Sequence, residues 1–132
     1  MASRITAVAV DALDPPALAA FWAAVLDWEV VGEEDGVVSI APPGQPEKGP
    51  VPGLDFLPTP DPTPGKVRLH LDLNATDSDQ AAEVERLLAL GATRADVGQG
   101  PPSEEMTWVV LADPEGNEFC LLASTVAPLS AR

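Results

Sequence analysis

The sequence predicts an α+β fold: two tandem βαβββ modules joined into a half-open barrel with an internal cleft. Three observations predict it. The order strand, helix, three strands occurs twice, over residues 4–58 and again over 66–125, and this repeat is the strongest architectural signal. A module of ~60 residues buries little surface alone, so the two sheets are expected to pair with the helices outside. The third observation is residues 66–74, which alternate with a period of two. Val67, Leu69, Leu71 and Leu73 form an apolar row meant for a helix, and Lys66, Arg68, His70, Asp72 and Asn74 form a polar one. A polar row on a buried strand needs water or a concave site, and the cleft supplies the concave site.

Each element has a local reason. Residues 5–11 read as a short strand, rich in β-branched side chains and expected to be buried on both faces. Asp14 followed by Pro15 and Pro16 is a helix start, with a carboxylate cap and proline at the first helical position. Leu18, Phe21, Trp22, Val25 and Leu26 then recur at helical spacing as a core face. Residues 29–31 and 36–41 form a hairpin turned by Glu33, Glu34, Asp35 and Gly36. The Pro- and Gly-rich stretch 42–52 is a loop of the kind that covers binding clefts, and 54–57 is a strand ended by Pro58. Between 58 and 65, four of eight residues are proline, a stiff linker over about 58–66 between the modules of one domain spanning 1–132.

The second module opens on the His70 strand. Asp77 has capping-box spacing to Gln80, Ala81, Val84, Leu87 and Leu88 share a helical face, and Gly91 ends the helix. Residues 92–97, 107–111 and 117–123 are strands, 99–105 is a second Gly/Pro loop, and Asp113, Pro114, Glu115 and Gly116 turn the last hairpin.

Charge and composition narrow the function. A net charge of -14 with only 7 basic residues disfavours a phosphate backbone, so nucleic acid is not an expected partner. No apolar run approaches the ~18 residues of a membrane span, and a single cysteine allows no internal disulfide, which points to the cytoplasm. Serine elbows, phosphate loops and cysteine clusters are missing.

Three stretches, "DPPALAAFWAAVLDWEVV", "RLHLDLNATD" and "LADPEGNEFCLL", together with the repeated element order, resemble the vicinal oxygen chelate superfamily. That superfamily includes glyoxalase I, extradiol dioxygenases and bleomycin-resistance proteins. The resemblance implies the glyoxalase/bleomycin resistance/dioxygenase fold, a homodimer, a small-molecule ligand, and in catalytic members one divalent metal held by histidines and carboxylates. Carried onto this chain, the first-strand ligand falls near Ala7, which has no donor, and the end of the first module supplies Asp55. The second-module histidine falls on His70, and the final carboxylate position falls on Cys120, with Glu118 two residues earlier on the same face. His70, Asp55 and either Cys120 or Glu118 are then the candidate ligands of zinc, nickel, manganese or iron.

Each candidate has a plainer reading. His70 is either a ligand or catalytic base, or a histidine hydrogen-bonded to Asp72 or Arg68 without chemistry. Glu118 is a second catalytic candidate or a solvated edge residue, and Cys120 a ligand or a small buried hydrophobe. Arg68 and Asp72 are ligand contacts by their place on the polar row, and Trp108 or Trp28 either stacks on a flat ligand or packs in the core. Two function classes follow. One is a metal-dependent lyase, isomerase or dioxygenase-like enzyme in which the metal polarises a substrate oxygen. The other is a metal-free protein that binds or sequesters a small molecule.

Overall fold

The structure, a computed structural model, describes residues 2–60, 69–95 and 107–124. It divides into two compact units, Met1–Pro64 and Gly65–Arg132. The first runs β1 (Ala7–Ala12), α1 (Pro15–Leu26), β2 (Glu29–Glu34), β3 (Val37–Ala41) and β4 (Gly53–Pro58). The second runs β5 (Asp72–Leu73), α2 (Gln80–Leu90), β6 (Thr93–Arg94), β7 (Val109–Ala112) and β8 (Glu118–Leu121). Each is a βαβββ module. The sheets share one topology, β1-β4-β3-β2 and β5-β8-β7-β6, in which the first strand of the module lies parallel to its last and the remaining pairs are antiparallel.

In the first module α1 begins as its sequence dictates: the Asp14 carboxylate accepts the Ala17 N–H at 3.1 Å, and proline occupies the first helical position. Its inner face, Leu18, Ala19, Phe21, Trp22 and Val25, is buried together with Val38 and Ile40 of β3 and Leu54 and Phe56 of β4. Phe21 and Trp22 meet edge to face at 5.3 Å, a favoured aromatic geometry. The β2–β3 turn is tighter than the sequence suggests. Only Asp35 and Gly36 lie between paired strands, both at positive φ, and that two-residue turn matches the strands' twist. Gly53 has another duty: a Cβ there would sit 2.9 Å from the Ile40 carbonyl oxygen, so β4 approaches β3 only with glycine at this point.

Two expectations are corrected here. β1 is not buried on both faces: Ala7, Val8, Ala9 and Asp11 are exposed and only Ala12 is buried, and Ala7, Ala9 and Asp11 share the face of Asp55, opposite the one on which Leu54 and Phe56 pack with α1. Leu69 is 85% exposed instead of lying under a helix, since the ladder with β8 begins only at Leu71. Lys66, Val67 and Arg68, most of the proline linker and the 99–105 loop lie outside the described residues.

In the second module the cap of α2 is Asp79, whose carboxylate accepts the Ala82 N–H at 2.8 Å, so the capping role assigned to Asp77 moves two residues on. Gln80 is then freed to tie the helix to the sheet, donating to the carbonyls of Thr107 at 2.8 Å and Leu121 at 3.0 Å. Gly91, at φ 124°, closes the helix. Val84 and Leu87 are buried on α2, with Leu111, Phe119 and Leu121 on the sheet. Ala81 turns outward.

The β7–β8 turn is built on Asp113, the one buried charged residue among those described. Its carboxylate accepts the N–H groups of Glu115 and Asn117, both at 2.9 Å, and the Asn117 amide at 2.9 and 3.1 Å. Those bonds satisfy a buried charge and set the register Ala112↔Glu118 and Leu111↔Phe119. Asp113→Ala leaves these donors without their acceptor and is expected to lower stability by about 2–4 kcal/mol in urea unfolding, with Asp113→Asn costing less. Phe56→Ala, at a fully buried site, is expected to cost about 3–5 kcal/mol in the same assay.

Candidate functional site

β5 and β8 run side by side in the register Asp72↔Cys120 and Leu73↔Leu121. The Cys120 N–H donates to the Leu71 carbonyl at 2.9 Å and the Leu122 N–H to the Leu73 carbonyl at 2.7 Å. Residues in register project from the same face, so the Asp72 carboxylate and the Cys120 thiol stand together, opposite the face of Phe119 and Leu121. His70, two residues before Asp72, falls on that face as well. Donor atoms of His70, Asp72 and Cys120 all lie within 4.8 Å of one another.

The electrostatics of the three differ. His70 Nδ1 and Asp72 Oδ1 are 3.8 Å apart, beyond hydrogen-bond distance, on side chains 49% and 56% exposed, so their attraction is screened and leaves both side chains adjustable. Cys120 is only 7% exposed. Burial pushes its thiol up, and the carboxylates of Asp72 and then Glu118 push it further, so it is held protonated at neutral pH.

The donor set suits a divalent metal. Imidazole, carboxylate and thiolate are all zinc donors, and three of them leave a coordination position free. With metal–ligand bonds of about 2.0–2.3 Å, donors on a tetrahedral ion lie about 3.3–3.6 Å apart. Donor atoms within 4.8 Å of one another, two of them on exposed side chains, stand close to that spacing.

Asp55 belongs to the first unit, and the clustered donors all come from the second. It projects from β4 on the face opposite Leu54 and Phe56, beside Ala9 and Ser39 in register, and lines a concavity of about 800 Å³. Thr6, Ser39, Glu47 and Lys48 line it too. The loop beside it is fastened by Gln45, whose amide donates to the Val51 carbonyl at 2.8 Å and accepts the Val51 N–H at 3.1 Å, and by Arg4, which donates to the Lys48 carbonyl at 2.9 Å. Asp55 and Cys120 occupy equivalent places: each is central in its module's last strand, with Ala9 or Asp72 as partner on the parallel strand. Ala7, two residues before Ala9, therefore stands where His70 stands before Asp72.

Among the other candidates, Glu118 opens β8 on the Cys120 face, half-buried, and acts on the thiol by charge. Trp108 is half-buried just before β7, Trp28 half-buried just after α1, and Arg68 lies outside the described residues. Sequence reasoning passed over Asp72 as a metal donor, taking it for a ligand contact. The signal was present in the two-residue step from His70 along the polar row.

A family described as glyoxalase-like domain matches residues 7–122. The chain belongs to this glyoxalase-like family. Solved structures share its fold. The genomically encoded fosfomycin resistance protein FosX of Listeria monocytogenes, in a mutant complexed with Mn(II) and 1S,2S-dihydroxypropylphosphonic acid, aligns at TM-score 0.69 and 16% identity over 96% of this chain and 94% of its own. A glyoxalase-related enzyme from Fulvimarina pelagi aligns at TM-score 0.66 and 17% identity, covering 98% and 94%. A glyoxalase/bleomycin resistance protein/dioxygenase family enzyme from Burkholderia phytofirmans PsJN aligns at 0.65 and 19%, covering 90% and 97%. No curated protein matches the chain. At these identities the structural likeness concerns the fold, and the site of this glyoxalase-like protein is read from its own residues.

The burial of Cys120 has a direct readout. Iodoacetamide labelling of the metal-free native protein at neutral pH is expected to run at least about tenfold slower than labelling of the urea-denatured chain, because the attacking species is the thiolate and the fold suppresses it. Equal rates in the two states would mean that the thiol is accessible.

Proposed function

We propose that this glyoxalase-like protein binds a small oxygenated metabolite and acts on it as a divalent-metal-dependent enzyme of the lyase or isomerase type, with an altered metal site. The observation that carries the reading is the convergence of His70, Asp72 and Cys120 within 4.8 Å on one face of the second module. Mn(II) in the Listeria fosfomycin resistance protein, which has the same fold, supports a divalent ion as the cofactor. When bound, such an ion supplies Lewis acidity toward a carbonyl or enolate oxygen of the substrate. The chain's own groups do the rest. Half-exposed His70 accepts or returns a proton if it is not engaged as a ligand, Glu118 on the same face is a second acid–base group, and Trp108 and Arg68 are contacts for the substrate. The protein is proposed to work in the cytoplasm as a homodimer.

A second reading is a metal-free binder of the bleomycin-resistance type. It is favoured by Ala7, which removes a donor from the first module, and by the acidic lining of that module's concavity, where Glu33, Glu34, Asp35, Glu47 and Asp55 outnumber Lys48. Such a lining suits a cationic ligand.

Metal content separates the two. Untagged protein purified without chelator is expected to carry about one equivalent of divalent metal by plasma mass spectrometry, and His70→Ala to lose it. A wild-type protein that holds no metal and takes none up on titration would sink the enzyme reading and leave the binder, to be pursued by ligand-induced shifts in Tm.

A further inference from the structure

We infer that Cys120 enters the coordination shell as a thiolate, with His70 and Asp72 beside it, and that this sulfur makes the site select zinc and other thiophilic ions over manganese. The inference rests on the metal-site reading above and adds to it the identity of the third donor and the class of ion.

The argument begins with placement. Sulfur enters the site through the β5–β8 register, which seats Cys120 against Asp72, and its donor atom lies within 4.8 Å of those of both His70 and Asp72. Most single cysteines are small buried hydrophobes, and Phe119 and Leu121, on either side of this one, fill that role by facing the core. Cys120, although only 7% exposed, instead points to the face that carries an imidazole and two carboxylates.

Donor chemistry then decides the ion. Oxygen donors suit manganese and magnesium, whereas a thiolate favours zinc, cobalt and ferrous iron, because the softer sulfur donates more strongly to them. On binding, the thiol proton passes to solvent and its electron pair to the metal, so no oxidant or reductant is involved. A dication bound there offsets the negative charge of Asp72, of the thiolate and of neighbouring Glu118. His70, Asp72 and Cys120 all come from the two paired strands and the residues just before β5, so these three donors belong to one module.

The test uses the full-length chain and Co(II) as a spectroscopic probe. Wild-type protein titrated with Co(II) is expected to develop the intense near-ultraviolet sulfur-to-cobalt charge-transfer band, and Cys120→Ser to lose it while keeping the circular dichroism spectrum of the fold. Affinity for Co(II) and Zn(II) is expected to fall in Cys120→Ser by more than the ~10–100-fold that loss of a group hydrogen-bonded to a ligand produces. Asp72→Asn is expected to weaken binding and shift the visible cobalt bands. In competition at equal concentrations, the zinc-to-manganese ratio held by wild type is expected to exceed the one held by Cys120→Asp. Co(II) binding without a charge-transfer band, or zinc held as tightly by Cys120→Ser, would overturn the thiolate while leaving the metal-site reading intact. No uptake of any divalent ion by wild type would overturn both. Should Cys120→Ser lose its fold, Cys120→Ala with the same two readouts takes its place.

Discussion

The parallel pairing of β5 with β8 is the constraint on which the rest of the second module depends. Two backbone hydrogen bonds, from the Cys120 and Leu122 N–H groups to the carbonyls of Leu71 and Leu73, fix which side chains share a face. A slip of one residue would turn Cys120 toward the core and Phe119 toward the polar face, burying a charge-facing group and exposing a large apolar one. The hydrophobic cost of exposing Phe119 and Leu121, both about 1% accessible, opposes that slip more strongly than any attraction among His70, Asp72 and Cys120. The donors are thus assembled by the core on the other side of the sheet. The Asp113 turn adds to this, since its four accepted hydrogen bonds hold β8 against β7 at the point where β8 starts.

The two modules repeat one topology and differ in what they place on it. Equivalent central positions carry Asp55 in the first module and Cys120 in the second, and the parallel strand offers Ala9 and Ala7 in one, Asp72 and His70 in the other. The first module therefore holds Asp55 among the other carboxylates of a broad acidic concavity beside a loop fastened by Gln45, while the second holds a compact set of three unlike donors. That asymmetry needs no change of backbone. Alternating side chains let the helix-facing row keep the fold while the opposite row changes freely, which is how one scaffold carries different chemistries.

Much of the fold was legible in the residues. Asp14-Pro15-Pro16 starts α1, Gly91 ends α2, and the Asp35-Gly36 and Asp113–Gly116 turns stand where their backbone chemistry requires. What misled was local ambiguity. Asp77 and Asp79 are both plausible caps, and only the position of Gln80, bonded to Thr107 and Leu121 across the module, shows why Asp79 is used. β1 reads as a doubly buried strand from its β-branched residues, yet Ala7, Ala9 and Asp11 stand on the exposed face opposite α1. Composition reports apolar character but not which face of a strand has a helix packed on it.

For the site, the sequence by itself determined the chemical inventory: one histidine, one cysteine, a surplus of carboxylates, and a strand whose alternation puts His70 and Asp72 on one row. These follow from residue identity and from the period of two, which are local properties. The family resemblance offered Cys120, Glu118 and Asp55 as distant partners of His70, and only the tertiary structure set Cys120 against Asp72. Cys120 lies 48 positions after Asp72 and meets it because β8 returns parallel to β5, a pairing set by the burial of Phe119 and Leu121 and the turn at Asp113. Nothing along the chain between those positions records that meeting, since it is produced by packing on the far face of the sheet.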